Sequence, residues 1–221
     1  MSKLTIYIGY DSKEEEAYNV CVKSLLKYSS NELDIKPLIL KDLIESGIYK
    51  REPDPLSSTE FTFSRFLVPF LNNYKGKALF CDCDFLFLED VSKLFDLFHH
   101  SKAIQCCQHD YYPKNKIKMD GASQHIYPRK NWSSLMLFNC EHPSNMILDP
   151  HMVNTHSGQY LHRFNWLMDY EIGSLPLEWN YLVNWYKHGK PKALHFTEGG
   201  PWHKNYKNCE YSDFWHRIKD E

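Results

Sequence analysis

Apolar and polar positions first alternate in Leu4-Thr5-Ile6-Tyr7-Ile8-Gly9, a β-branched-rich stretch that predicts an opening strand. Gly9-Tyr10-Asp11-Ser12 reads as the turn after it, and Asp11 or Ser12 can cap a helix whose first turn holds Glu14, Glu15 and Glu16. Those glutamates read as a solvated helix start. Ala17, Val20, Cys21, Ser24, Leu25 and Tyr28 then repeat at helical spacing. Residues 34–40 predict a second strand, with Pro37 marking an edge or a strand start. Residues 60–71 predict a helix carrying Arg65, kinked or shortened by Pro69. Further strands are predicted at 78–83, 103–107, 132–138 and 192–196, and helices at 91–98, 160–168 and from about Tyr211. Strands alternating with helices predict an α/β fold: one mostly parallel central sheet flanked by helices, as a single domain over residues 1–221. Ligands of such sheets bind outside the carboxyl ends of the strands, so the turns after Gly9, Cys83 and Phe196 should gather at one rim.

Within that pattern one apolar run breaks its own rule. Leu79-Phe80-Cys81-Asp82-Cys83-Asp84-Phe85-Leu86-Phe87-Leu88 places two carboxylates one residue apart among Leu and Phe. Burying two ionised aspartates is costly unless a cation or strong donors offset the desolvation. In an extended chain positions i and i+2 share a face, so both carboxylates can converge on one hard divalent cation, Mg²⁺ or Mn²⁺. An Asp-x-Asp also occurs in solvated turns, but the flanking apolar residues favour a buried strand end and a metal–phosphate site.

Composition narrows the class. With 43% hydrophobic and 24% charged residues the chain can bury a core, and a net charge of −2 with no basic tract argues against nucleic acid. No apolar run approaches the roughly 20 residues of a membrane span, and residues 4–9 are too short for a signal peptide. Seven cysteines, an odd number with adjacent or near-adjacent members, predict reduced thiols and a cytoplasmic address. A zinc site from Cys81, Cys83, Cys106, Cys107 and His109 lacks paired ligand spacing, so buried inert thiols are the better reading. The long polar stretch 109–130, with Tyr111, Tyr112 and Asp120, is either functional or a solvated loop.

The arrangement resembles the GT-A nucleotide-sugar glycosyltransferases, and most closely the retaining family 8 type, over nearly the whole chain. The likeness runs through Tyr7-Ile8-Gly9-Tyr10-Asp11, Ser64-Arg65-Phe66-Leu67-Val68-Pro69 and Ala78-Leu79-Phe80-Cys81-Asp82-Cys83-Asp84. It continues through Trp132-Ser133-Ser134-Leu135-Met136-Leu137-Phe138-Asn139 and ends at Leu194-His195-Phe196-Thr197-Glu198-Gly199-Gly200-Pro201-Trp202. The resemblance implies a nucleoside diphosphate sugar donor, with UDP expected, and Mn²⁺ or Mg²⁺ held by Asp82, Asp84 and His195. It implies donor contacts from Gly9, Tyr10, Asp11, Arg65, Asp82, Cys83, Gly199, Gly200 and Trp202. Asp169 or Glu171 is the nearest acidic counterpart of the family's catalytic segment, Asp169 being taken as catalytic, and Asp120 is a candidate for the acceptor, a glycan, lipid or other molecule. One departure stands out: the family has a Lys before Pro-Trp where this chain has Gly200, leaving His203, Lys204 or backbone N–H groups to substitute.

The residue types fit that chemistry. An Asp/Asp/His set suits Mn²⁺, since imidazole favours transition metals. A planar guanidinium at Arg65 suits phosphate or sugar hydroxyls, the alternative being a solvated surface ion pair. Trp202 and Trp132 offer faces for stacking on a sugar, or bury in the core. Two rivals remain: an inactive sugar-nucleotide or glycan-binding module, and a phosphatase of the haloacid dehalogenase type. The phosphatase wants its Asp-x-Asp near the N-terminus and a Thr or Val where Leu86 stands.

Overall fold

The computed structural model describes residues 3–54, 57–110 and 128–221. In β1 (Leu4–Gly9) the side chains of Ile6 and Ile8 are fully buried. Asp11 closes the following turn, its carboxylate accepting from the backbone N–H of Lys13 at 3.0 Å and of Glu60 at 3.1 Å. A 3-10 turn, Ser12–Glu14, leads into α1 (Glu15–Tyr28), which buries Ala17, Val20, Cys21, Ser24 and Leu25 as its periodicity predicts. β2 (Leu33–Leu38) pairs parallel to β1 at the sheet edge, where Pro37 can lack an N–H without breaking an inner ladder. A short α2 (Leu40–Glu45) follows, which the sequence pattern did not predict.

The helix expected over 60–71 is broken into a 3-10 turn, Ser64–Leu67, and α3 (Val68–Leu71). Pro69 sits in the first turn of α3, where its missing N–H forfeits no helical hydrogen bond. Then come β3 (Lys77–Cys81), β4 (Phe85–Phe87), α4 (Ser92–Phe95), β5 (Ile104–Cys107) and β6 (Leu135–Asn139). After them lie α5 (Pro150–Thr155), α6 (Gly158–His162), β7 (Ile172–Leu175), β8 (Tyr181–Leu182), β9 (Ala193–His195) and α7 (Ser212–Asp220).

Six strands form the central sheet in the order β2-β1-β3-β6-β5-β7. Five run in one direction, and β6 alone is antiparallel to its neighbours β3 and β5. A second sheet, β4-β9-β8, holds β9 antiparallel to β4 and parallel to β8. The apolar run 79–88 therefore changes sheet partway, and the strand ending at His195 belongs to the small sheet rather than to the central one.

Phenylalanines account for much of the aromatic content. Phe66, Phe80, Phe138 and Phe164 fill the main core with Trp179, while Leu86, Leu194, Phe196 and Trp215 form a second core under α1 and α7. All seven cysteines are free, and six of them are buried. Among the described residues no helix is long and apolar enough to cross a membrane.

Candidate active site

β3 ends at Cys81, and Asp82, Cys83 and Asp84 occupy the passage from the central sheet to the small one. The register of the small sheet does the rest. Phe85 pairs with His195, their rings stack at 4.5 Å between centroids, and Phe196 N donates to Asp84 O at 3.1 Å. His195, more than 100 residues beyond Asp84 in the chain, is thereby set beside it, with Nε2 at 3.3 Å from an Asp84 carboxylate oxygen. One ligand atom from each of Asp82, Asp84 and His195 lies within 4.8 Å of the others, a group able to hold a metal ion.

The imidazole is fixed from behind. Asn180 Oδ1 lies 2.8 Å from His195 Nδ1, and Asn180 Nδ2 donates to Ser134 Oγ at 2.9 Å. Ser134 Oγ in turn donates to the Asn131 carbonyl at 2.7 Å, so it accepts from Asn180 and the amide's orientation follows. Nδ1 is then the donor to Asn180, and Nε2 is the ring nitrogen that faces Asp84. Two carboxylates plus an imidazole nitrogen match the ligand preferences of a divalent transition ion.

Arg65 serves the first of those carboxylates. Its Nη1 donates to Asp82 at 2.7 Å and to the Ser133 carbonyl at 3.0 Å, and its guanidinium lies 5.1 Å from the ring centroids of both Phe61 and Phe80. At 5% exposure it is no solvated surface arginine. Beside it, Ser133 Oγ meets His162 Nδ1 at 2.8 Å. Burial, with the Arg65 charge second, pulls the His162 pKa down to about 3, so this imidazole is neutral at pH 7.

These groups open onto a cavity of about 640 Å³, within the few hundred to roughly 1,000 Å³ usual for small-molecule sites. Arg65, Asp82, Asp84, His195 and Gly199 all line it. Other residues expected at the site do not. Asp11 spends its carboxylate on the turn described above, and Tyr10 packs edge-on against Tyr18 at 5.3 Å. Gly9 serves packing: a Cβ there would sit 2.4 Å from the Phe61 ring. Cys83 is buried, its thiol 3.4 Å from the Glu14 carboxylate; burial first and that carboxylate second push its pKa well up, so it stays protonated.

Trp202 packs on Phe196 and Trp215, each at 5.9 Å between centroids, and does not line the cavity. Gly200 is explained by that ring, since a Cβ would come 2.0 Å from it; no lysine fits there. Lys204 is exposed, whereas His203 does line the cavity, 3.5 Å from Glu14.

Neither acidic candidate reaches the cavity. Asp169 is an exposed partner of Arg129 at 2.5 Å, and Glu171 is buried, holding Ser144 Oγ at 2.5 Å and Met168 N at 2.7 Å. Those two hydrogen bonds outweigh burial and keep the Glu171 carboxyl below its usual range. Asp120, Tyr111 and Tyr112 lie outside the described residues. Trp132 donates Nε1 to the His109 carbonyl at 3.0 Å, and burial lowers the His109 pKa to about 3.

Several cavity residues carried no sequence signal: Glu14, Lys130, Asn131, Gln159, His162 and Arg163. Glu14 is a correction, since it walls the cavity rather than standing in solvent. For the rest no spacing rule could have found them, because loops and the short α6 supply them.

The fold is that of the GT-A glycosyltransferases. The bifunctional glycosyltransferase WbbM is similar over 99% of this chain at 14% identity and a TM-score of 0.70, and the glycosyltransferase GlyE of Streptococcus pneumoniae over 99% at 16% and 0.66. This chain spans 50% of WbbM and 60% of GlyE. The galactosyltransferase LgtC matches over 98% of this chain and 95% of its own length, at 13% identity and a TM-score of 0.60. No family profile matches the sequence. It is, however, 52% identical over 222 residues to Protein CDI of Arabidopsis thaliana, covering 98% of this chain and 86% of that protein. The chain belongs to the Protein CDI family.

Proposed function

We propose that this protein transfers a sugar from a nucleoside diphosphate sugar, with UDP as the nucleotide, to the hydroxyl of an acceptor. The convergence of Asp82, Asp84 and His195 beside a cavity of small-molecule size carries this reading. The donor set fits Mn²⁺, with Mg²⁺ as the alternative. When bound, the cation supplies positive charge that makes the diphosphate a better leaving group. Arg65 holds Asp82 in place, and Asn180 holds His195. Ser133, Gln159 and His162 offer neutral hydrogen-bonding groups for the sugar, and the cavity wall limits water. The anomeric carbon exchanges its phosphate oxygen for the acceptor oxygen, and the family 8 resemblance supports retention of configuration. Seven free thiols support a reducing, cytoplasmic location.

A thermal-shift experiment tests the donor site. Ligand at about 100 times its dissociation constant stabilises by roughly 2.7 kcal/mol, a melting shift of roughly 5–11 °C for a chain of this size. UDP with Mn²⁺ should give such a shift and UDP with chelator a much smaller one. No shift with any nucleoside diphosphate would refute the reading. Because neither Asp169 nor Glu171 faces the cavity, a second reading is a binding module without turnover. UDP-sugars that bind but are neither transferred nor hydrolysed would favour it.

A further inference from the structure

The chain carries a net charge of −2, but two neighbouring surface segments run the other way. The connection from β8 to β9, residues 183–192, holds Lys187, Lys190 and Lys192 with no acidic residue, and the turn 203–209 holds Lys204 and Lys207 with none. Both meet at one pair of rings. Tyr181 Oη donates to the Tyr186 carbonyl at 2.8 Å, and Gly189 lies over the Tyr181 ring, where a Cβ would come within 3.3 Å. Tyr211, the residue before α7, packs edge-on against Tyr181 at 5.9 Å between centroids. His216 Nε2 of α7 lies 3.3 Å from the Lys207 carbonyl, which ties the turn to the helix.

α7 completes the face. It buries Ser212, Trp215 and Ile218, and so turns Phe214 and Arg217 outward, one helical turn apart. Phe214 is 42% exposed, and the Arg217 guanidinium lies 5.5 Å from its ring centroid. Lys187, Lys190, Lys204 and Lys207 are all exposed, and among the described residues their ammonium groups pair with no carboxylate. Glu210 and Asp213 border the face, outnumbered by its cations. Lysines are compact point charges on flexible stems, suited to a fluid array of anions rather than to one fixed partner. An exposed aromatic ring set among them is the pattern of a helix lying at a lipid interface, and a cluster of four or more Lys/Arg there reads as a site for anionic lipid. An acidic polymer would use the lysines and leave Phe214 without a role.

We infer that Lys187, Lys190, Lys204, Lys207 and Arg217 seat the protein on an anionic lipid surface, with Phe214 entering the headgroup layer. His203, next to Lys204, lines the cavity, so the lipid lies on that side of the cavity.

Co-sedimentation with vesicles of phosphatidylcholine alone, and of phosphatidylcholine with about 30% phosphatidylserine, tests it at about 0.1 M salt, where charges act over roughly 10 Å. The protein should bind the mixed vesicles at least about tenfold more tightly than the neutral ones, and about 1 M salt should release most of it. Each lysine near an anionic leaflet contributes about fivefold, so Lys187→Gln/Lys190→Gln and Lys204→Gln/Lys207→Gln should each lose about 25-fold. Phe214→Ser should lose about fivefold or more on the mixed vesicles, through the lost burial of its ring. It should lose nothing on heparin, which offers anions without an apolar layer. All these side chains are exposed, so melting temperatures should stay near the wild-type value. Equal binding to both kinds of vesicle would overturn the inference, as would lysine or Phe214 variants that bind the mixed vesicles like the wild type. Heparin bound by a protein that the mixed vesicles do not retain would assign the face to an acidic polymer and overturn it as well.

Discussion

Because Asn180 Oδ1 accepts a hydrogen bond from His195 Nδ1–H, the imidazole can offer only Nε2 to a cation shared with Asp84. Partners that orient a ligating histidine are worth about 10–100-fold in metal affinity when removed. Asn180→Leu should therefore weaken Mn²⁺ binding by a factor in that range, and also destabilise by about 1–3 kcal/mol through the stranded Nδ1–H. Asn180→Asp, which keeps an acceptor, should retain far more of the affinity; a Mn²⁺ titration followed by the ion's paramagnetic resonance separates the two. Equal behaviour of both variants would detach Asn180 from the metal. At this scale the sequence was legible only where chemistry is carried by a pattern. Asp82 and Asp84 break an apolar run, and His195 ends a short strand. Asn180 and Ser134 act through positions that no spacing announces, and Asp169, chosen for being acidic, pairs with Arg129 and is exposed.

At the scale of elements, the decisive event is the change of sheet after Cys81. β3 must end for Asp82 to meet Arg65, and β4 must begin for Phe85 to register with His195. Periodicity cannot see that change, since β3 from Ala78 on and all of β4 are buried on both faces and read as one apolar run. The same limit explains the helix expected over 60–71, where tertiary contacts of Arg65 and Phe66 override the local pattern. β1, α1 and β6 were legible because each has a one-sided or continuously buried pattern. Gly200 belongs to this scale too, since it lets the loop after β9 fold beneath Trp202. Gly200→Ala should cost about 1–3 kcal/mol by overpacking, a fall in melting temperature of roughly 2–12 °C. An unchanged melting temperature would mean the ring moves freely, and would reopen the question of why the family lysine is missing.

For the whole molecule, two sheets from distant parts of the chain build one site. The end of the central sheet's β3 leads directly into the passage that carries Asp82 and Asp84, and the small sheet delivers His195. The α/β class and its mostly parallel sheet followed from alternating strands and helices, while the second sheet was hidden because β8 and β9 are only two and three residues long. The claim on which everything else rests is that these three side chains share one divalent ion. Anomalous diffraction from crystals grown with Mn²⁺ and UDP tests it most directly. The expected result is a single strong peak within about 2.0–2.4 Å of a carboxylate oxygen from each aspartate and of His195 Nε2. A peak elsewhere, or none at Asp82 and Asp84 while UDP occupies the cavity, would contradict the account.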